Sequence, residues 1–310
     1  MELRLDHRGW TNESPYQRYF DFIAPDADRY QILFETAQSL KLNFSVITVE
    51  GKRHFFIFPK AYTQSVASGN IFPFLGLQPV ILCAHYDRVE GTQGANDNSA
   101  AVFQLLKAAL KMDKDETDYW MVVFTDKEEL LKDETIQDQG AFSLAGKLLD
   151  WGLGDAQVYI FDACGTGDTL ILSNATDYLF KGNETKSIYK VKQRLRTLRN
   201  HALDTAHDLY IYNTMVLPTP FSDDAGFLRA GIPAQTITML PTAEAGPYAT
   251  FLRKRPDFGE LLISGNAKNS NDRMMIPETW RCLNTKSDSY LRLTPKNFET
   301  VVRFAAQLCK

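Results

Sequence analysis

The stretch Pro79-Val80-Ile81-Leu82-Cys83-Ala84-His85-Tyr86-Asp87-Arg88-Val89-Glu90-Gly91-Thr92-Gln93-Gly94-Ala95-Asn96-Asp97-Asn98-Ser99-Ala100 decides how this chain reads. Residues 79–84 form an apolar run of the length of a buried strand. Gly91, Gly94 and Asn96 then break the pattern, and Ala100, Phe103, Leu106 and Leu110 recur at helical spacing. His85, Asp87 and Asp97 therefore stand at a strand end and at the start of a helix. In open α/β sheets that is the crevice where ligands bind, beyond the carboxyl ends of the strands. A lone His-x-Asp pair is more often a surface hydrogen bond than a ligand, so its meaning depends on the surrounding chain.

Downstream, two more apolar runs end in acids. Trp120-Met121-Val122-Val123-Phe124 is apolar on both faces, which predicts a central parallel strand covered by helices on each side. It runs into Asp126-Lys127-Glu128-Glu129. The strand predicted over 156–163 places Asp162 near its end, just before Cys164-Gly165-Thr166-Gly167. That Gly-x-Gly pair is not a nucleotide loop, because Leu170 stands in the third glycine position and a strand, 170–173, follows in place of a helix. Helical patterns over 99–112, 140–150, 185–208 and 295–308, with strands over 209–217 and 235–240, complete the alternation.

Upstream, two helical patterns occupy 13–40. A hairpin follows, with strands 44–49 and 54–58 joined through Glu50-Gly51-Lys52, and His54 is expected on its exposed face. Loops are expected over 61–78 and 132–139, and an acidic stretch at Ser222-Asp223-Asp224. The pattern as a whole predicts a three-layer α/β fold, with a mostly parallel, mixed central sheet flanked by helices. With no repeat and no low-complexity linker, one domain over residues 1–310 is expected.

Composition narrows the function classes. A chain of 310 residues, 44% hydrophobic, builds a sizeable core, and a net charge of -4 gives no overall basic character. The cations of the 185–208 helix, such as Lys190, Arg194 and Arg199, surround an apolar stripe without interleaved aromatics, so nucleic acid is not an expected partner. His201 and His207 on that helix are expected to cap or hydrogen-bond. Four cysteines without a C-x-x-C pair suggest no disulfide framework. No run approaches the roughly 18 apolar residues of a membrane span. Residues 1–8 lack the apolar core of a leader, so a cytoplasmic location is expected, unless a leader was trimmed and the protein is exported.

One imidazole among several carboxylates, His85, Asp97, Glu128, Glu129 and Asp162, suits one or two divalent ions. Such ions activate water for hydrolysis, and a further carboxylate takes its proton. In their H-x-D, G-A-x-D-N and E-E motifs, residues 80–290 resemble the two-zinc aminopeptidases of peptidase family M28. The resemblance implies a peptide substrate, His85 and Asp162 as ligands of one zinc, Asp97 as the bridge with a cis peptide to Asn98, and Glu129 on the second zinc. It also implies Asp87 as the orienter of His85 and Glu128 as general base. Ser222-Asp223, Phe227 and Gly231-Ile232-Pro233-Ala234 resemble the segment bordering the family's pocket.

Two positions depart from the family. Its last ligand is the histidine of an H-T-x-x-D segment, and the matching residues here are Asn284-Thr285-Lys286-Ser287-Asp288. No histidine follows His207. A site of Asp97, Glu129 and Asn284 is all oxygen, so the second position is expected to be empty or to hold Mg²⁺, Mn²⁺ or Ca²⁺ in place of zinc. The second departure is Asp224, where the pocket segment carries histidine, which adds negative charge. Three functions follow: a metal-dependent aminopeptidase-like hydrolase, a non-catalytic binding protein with a partial metal site, and a glutaminyl-cyclase-like acyltransferase.

Overall fold

A computed structural model describes residues 9–62, 78–182, 185–264 and 270–310. Eight strands form one sheet: β1 Asn43–Val49, β2 Lys52–Phe58, β3 Val80–His85, β4 Trp120–Thr125, β5 Gln157–Phe161, β6 Thr169–Ser173, β7 Thr214–Leu217 and β8 Ala234–Leu240. Their spatial order is β1-β2-β4-β3-β5-β8-β6-β7. The four central strands run parallel, β1 and β2 join antiparallel at one side, and β6 pairs antiparallel with β8 at the other. This is the expected mixed, mostly parallel sheet.

Strands buried on both faces need cover on both faces. Leu82, Ala84, Val122, Phe124, Tyr159 and Phe161 pack with helices Ala100–Lys114 and Phe298–Gln307. The alternate residues Ile81, Cys83, Met121, Val123, Val158 and Ile160 pack with helix Gly140–Asp150 and with Phe227. Each such large side chain contributes about 1.5–3 kcal/mol on burial, so the centre of the sheet is the rigid base for whatever leaves its edge. Parallel register sets His85 opposite Thr125 and Cys83 opposite Ile160. The loops after β3, β4 and β5 therefore leave the sheet side by side.

Several expectations need correction. His54 is fully buried rather than exposed, because the start of the covering helix packs against its ring: a Cβ at Gly140 would come within 3.0 Å of Cε1. The strand expected over 209–217 begins only at Thr214. Helix Lys186–Asp208 and the turn after it take up the chain to residue 213, and the neighbouring β6 starts pairing at Leu170↔Thr214. Asp223 and Asp224 belong to helix Asp223–Ala230, and the last helix begins at Phe298 after a 3-10 turn, Pro295–Asn297. Helices Thr242–Lys254, Phe258–Ile263, Ser270–Met275 and Glu278–Cys282 are hidden in the sequence by Gly246, Pro247, Pro256 and Pro277, which read locally as breakers. Most of the expected 61–78 loop lies outside the described residues.

Candidate metal centre

His85 is the last residue of β3 and is 1% exposed. Its Nε2 lies 3.1 Å from Asp97 Oδ1 and 3.7 Å from Asp162 Oδ1, and its Nδ1 lies 3.2 Å from Asp87 Oδ1. Asp97 is brought there by the irregular turn Ala95–Ser99, which opens helix Ala100–Lys114. Gly94 permits that turn: its φ is +55°, and a Cβ there would meet the Asp97 carbonyl oxygen at 2.7 Å. The Asp97–Asn98 peptide is cis, as the resemblance implied. The Asn98 side chain donates to the Phe161 carbonyl at 2.8 Å and accepts from the Ala163 N–H at 3.2 Å, which ties the Asp97 turn to the strand end that carries Asp162.

The loop after β4 is fixed from several sides. Both oxygens of Asp87 accept the Glu128 N–H at 3.0 Å, and Oδ2 accepts the Glu129 N–H at 3.3 Å. One carboxylate thus orients the His85 ring and also holds both glutamates. Gln139 donates to the Glu128 carbonyl at 2.9 Å, and Gly140 donates its N–H to the Lys127 carbonyl at 2.8 Å. His54 Nδ1 accepts the Asp126 N–H at 3.3 Å from below.

Electrostatics in this cleft favour a cation. Burial alone would depress the His85 pKa, but the facing carboxylates of Asp162, Asp87 and Asp97 outweigh that and hold it well above the usual histidine range. Burial, with Asp162 and Asp97 nearby, pushes Glu128 well above the carboxylate range. Glu129 rises to about 7 through burial and Asp97. Like charges this close disfavour joint ionisation unless a positive charge enters.

Of the residues singled out from sequence, His85, Asp97 and Asp162 converge. Their ligand atoms lie within 4.8 Å of one another, and they are the sole such group of three His, Cys, Asp or Glu ligands among the described residues. Asn284 lies on an exposed turn with φ +59°. Asp223 is buried behind the site, where it accepts the Thr125 hydroxyl. Asp224 is also buried, accepts the Ser222 N–H at 2.9 Å and is pushed up to about 7 by burial. It therefore carries only part of the negative charge expected there at neutral pH. His201 bonds the Tyr159 hydroxyl at 2.8 Å, and His207 is exposed beside Asp208.

Two supporting residues are not legible in the sequence. Asp288, 2% exposed, accepts the N–H of Asn96 at 2.8 Å and of Asp97 at 3.0 Å; its place in the N-T-K-S-D segment is the only signal. Arg29 gives no signal beyond its place in a helical pattern. Its buried guanidinium bonds the carbonyls of Phe22, Tyr86, Asp87 and Gly94 and the Ser99 hydroxyl, clamping both ends of the loop between β3 and the Asp97 turn.

The residues present fit a metal ion. His85 Nε2 and Asp162 Oδ1 are buried with no hydrogen-bond partner. An orphaned imidazole nitrogen and carboxylate oxygen facing a second carboxylate make a donor set that zinc accepts. Their separations of 3.1 and 3.7 Å bracket the roughly 3.3 Å edge of a tetrahedron with ligand bonds of about 2 Å.

The fold is shared with known proteins. Solved structures of similar fold include BSAP, a zinc aminopeptidase from Bacillus subtilis, at a TM-score of 0.51 and 14% identity, covering 83% of this chain and 48% of that one. The Legionella pneumophila LapA aminopeptidase matches at 0.56 and 11%, covering 100% and 72%. A glutaminyl cyclase from Macrostomum lignano matches at 0.60 and 15%, covering 99% and 92%. This chain spans about half the length of BSAP. At these identities the likeness is one of fold. No curated protein matches the sequence. The sequence model of peptidase family M28, however, matches residues 76–308. The chain belongs to peptidase family M28.

Proposed function

We propose that the protein is a metal-dependent, aminopeptidase-like hydrolase in which His85, Asp97 and Asp162 hold zinc and Glu128 is the general base. The observation that carries this reading is the pair of buried, partnerless atoms, His85 Nε2 and Asp162 Oδ1, converging on Asp97 beside a glutamate outside the cluster. When bound, the ion polarises the scissile carbonyl and acidifies a water. Asp87 accepts the His85 Nδ1–H and so turns the Nε2 lone pair toward the two aspartates. Its hold on the Glu128 and Glu129 N–H groups keeps both carboxylates at the cleft. Glu128, whose carboxyl burial lifts above the ordinary range, is the group that takes a proton from the attacking water and returns it to the leaving amine.

The test is turnover of a panel of aminoacyl chromogenic substrates by the wild type and by Glu128→Gln, with zinc, manganese or magnesium added. A loss in kcat of about 10²–10⁴-fold with unchanged zinc content is expected. Equal turnover by the two proteins removes Glu128 from the reaction, and no turnover with any metal favours the non-catalytic reading. The 92% coverage of a glutaminyl cyclase keeps acyl transfer as a second reading. Ammonia release from peptides with N-terminal glutamine tests it.

A further inference from the structure

The two edges of the sheet differ in kind. β7, at one edge, has four residues, and shortness itself guards an edge against further pairing. β1, at the other, has seven, Asn43-Phe44-Ser45-Val46-Ile47-Thr48-Val49, with no charged residue and no proline among them. Its register with β2 runs without a bulge from Val49↔Lys52 to Asn43↔Phe58. Charge, proline, bulges and shortness are the usual means of keeping an edge strand from recruiting another, and β1 has none of them. Its side chains hold it in shape: the Phe44 ring centroid lies 5.3 Å from that of Phe34 in helix Arg29–Ser39, and Ile47 packs on the opposite face of the sheet.

The hairpin fixes which backbone groups of β1 face outward. Its two-residue loop, Glu50-Gly51, has φ of +50° and +80°, the primed turn in which the flanking Val49 and Lys52 exchange both hydrogen bonds. Bonded and open pairs alternate from there, so residues 43, 45, 47 and 49 bond to β2, whereas Phe44, Val46 and Thr48 direct their N–H and C=O groups away from it. Those groups have no hydrogen-bond partner among the described residues. A second β1, antiparallel and centred on Val46, meets that pattern in full. Phe44 then faces Thr48 of the other copy and Val46 faces Val46, with two hydrogen bonds for each of the three pairs. A shift by one residue sets outward groups against inward ones, and a shift by two leaves a pair unmatched. Aromatic with β-branched residues is among the favoured cross-strand pairings. The same register brings exposed Lys41 beside exposed Glu50 of the other copy at both ends.

We propose that the chain forms a twofold dimer in which two β1 strands pair antiparallel about Val46 and join two eight-stranded sheets into one. The occupant of the edge is a second copy because the edge is complementary to itself, in hydrogen-bond register and in charge, as a twofold interface requires. The dimer is independent of the metal reading. Sedimentation equilibrium of the full chain tests it. The wild type is expected at twice the chain mass. Val46→Lys sets two ammonium groups on the twofold axis and Thr48→Lys charges an exposed position, so each should raise the dissociation constant by about 100-fold while the circular dichroism spectrum stays that of the wild type. A short bismaleimide reads the register: it should couple Val46→Cys to itself, but not Thr48→Cys, whose two copies lie about 14 Å apart along the strands. The wild type, with its own four cysteines, is the blank. A wild-type monomer at every concentration overturns the proposal, as does an assembly larger than two or a dimer that both lysine variants leave intact. Coupling of Thr48→Cys in preference to Val46→Cys refutes the register. Should Val46→Lys fail to fold, Thr48→Lys at its exposed position decides.

Discussion

Replacing Arg29 tests whether the proposed metal ligands depend on a residue that lies outside the family-matched span. Its guanidinium makes five hydrogen bonds, four of them to backbone carbonyls, and lies 4.3 Å from the Phe22 ring centroid. Lysine retains the charge but offers at most three donors from a single point, so Arg29→Lys forfeits at least two of the five. At about 1.5–3 kcal/mol for a bond from a charged donor, the loss is about 3 kcal/mol at the lower end. Arg29→Met leaves all five acceptors without their donor. The cost then reaches the roughly 5–15 kcal/mol that holds a whole domain together, and no folded protein is expected. Because the clamp spans Tyr86, Asp87, Gly94 and Ser99, its loosening should also release Asp97 from His85. Zinc affinity should fall by about 10–100-fold, the range seen when groups behind metal ligands are removed. Urea unfolding of the metal-free protein measures the first effect, and competition with a chromophoric chelator the second. An Arg29→Lys protein as stable as the wild type refutes the bond count. A destabilised variant with unchanged zinc affinity refutes the link from Arg29 to the ligands.

Two further perturbations address the floor under Glu128. His54 is held down to about 4 by burial and then by Lys52, against about 6.5 when unfolded. Between those values the unfolded chain binds more protons, so stability present above pH 6.5 is lost as the pH falls toward 4, by about 3 kcal/mol in full. In His54→Asn, which retains an acceptor for the Asp126 N–H, urea unfolding at pH 7.5 and 4.5 should show this part of the acid sensitivity gone; an unchanged pH dependence would discount His54. In Gly140→Ala, the added Cβ would lie 1.7 Å from the Asp126 carbonyl oxygen, so the backbone under Glu128 must shift. Overpacking of about 1–3 kcal/mol is expected, with a fall in kcat/KM of about 10²-fold from misplacement of the base. Wild-type calorimetric and kinetic values would show that the loop is not held as described.

The order of the acids along the chain is legible in the residues alone. Apolar runs ending in His85, Glu128 and Asp162 declare parallel strands, and strands that share a direction must present their ends together. His54 shows the limit of that reading, because alternation along β2 records that a face is covered or open only when the covering element can also be identified. The helices between 242 and 282 are not legible because Pro247 and Pro277 read as breakers, while the apolar cluster around Tyr248 and Trp280 stabilises them.

Sequence by itself determined which polar chemistry stands at the strand ends: one imidazole and several carboxylates. Tertiary structure alone decided how those groups are held and which are satisfied. Asp288 bonds the N–H of Asn96 192 residues away, and Arg29 clamps a loop 57 to 70 residues downstream. Periodicity records which positions are buried, because burial follows the local geometry of helix and strand. A long-range hydrogen bond between polar groups has no period and becomes visible only when the sheet register brings its two ends together.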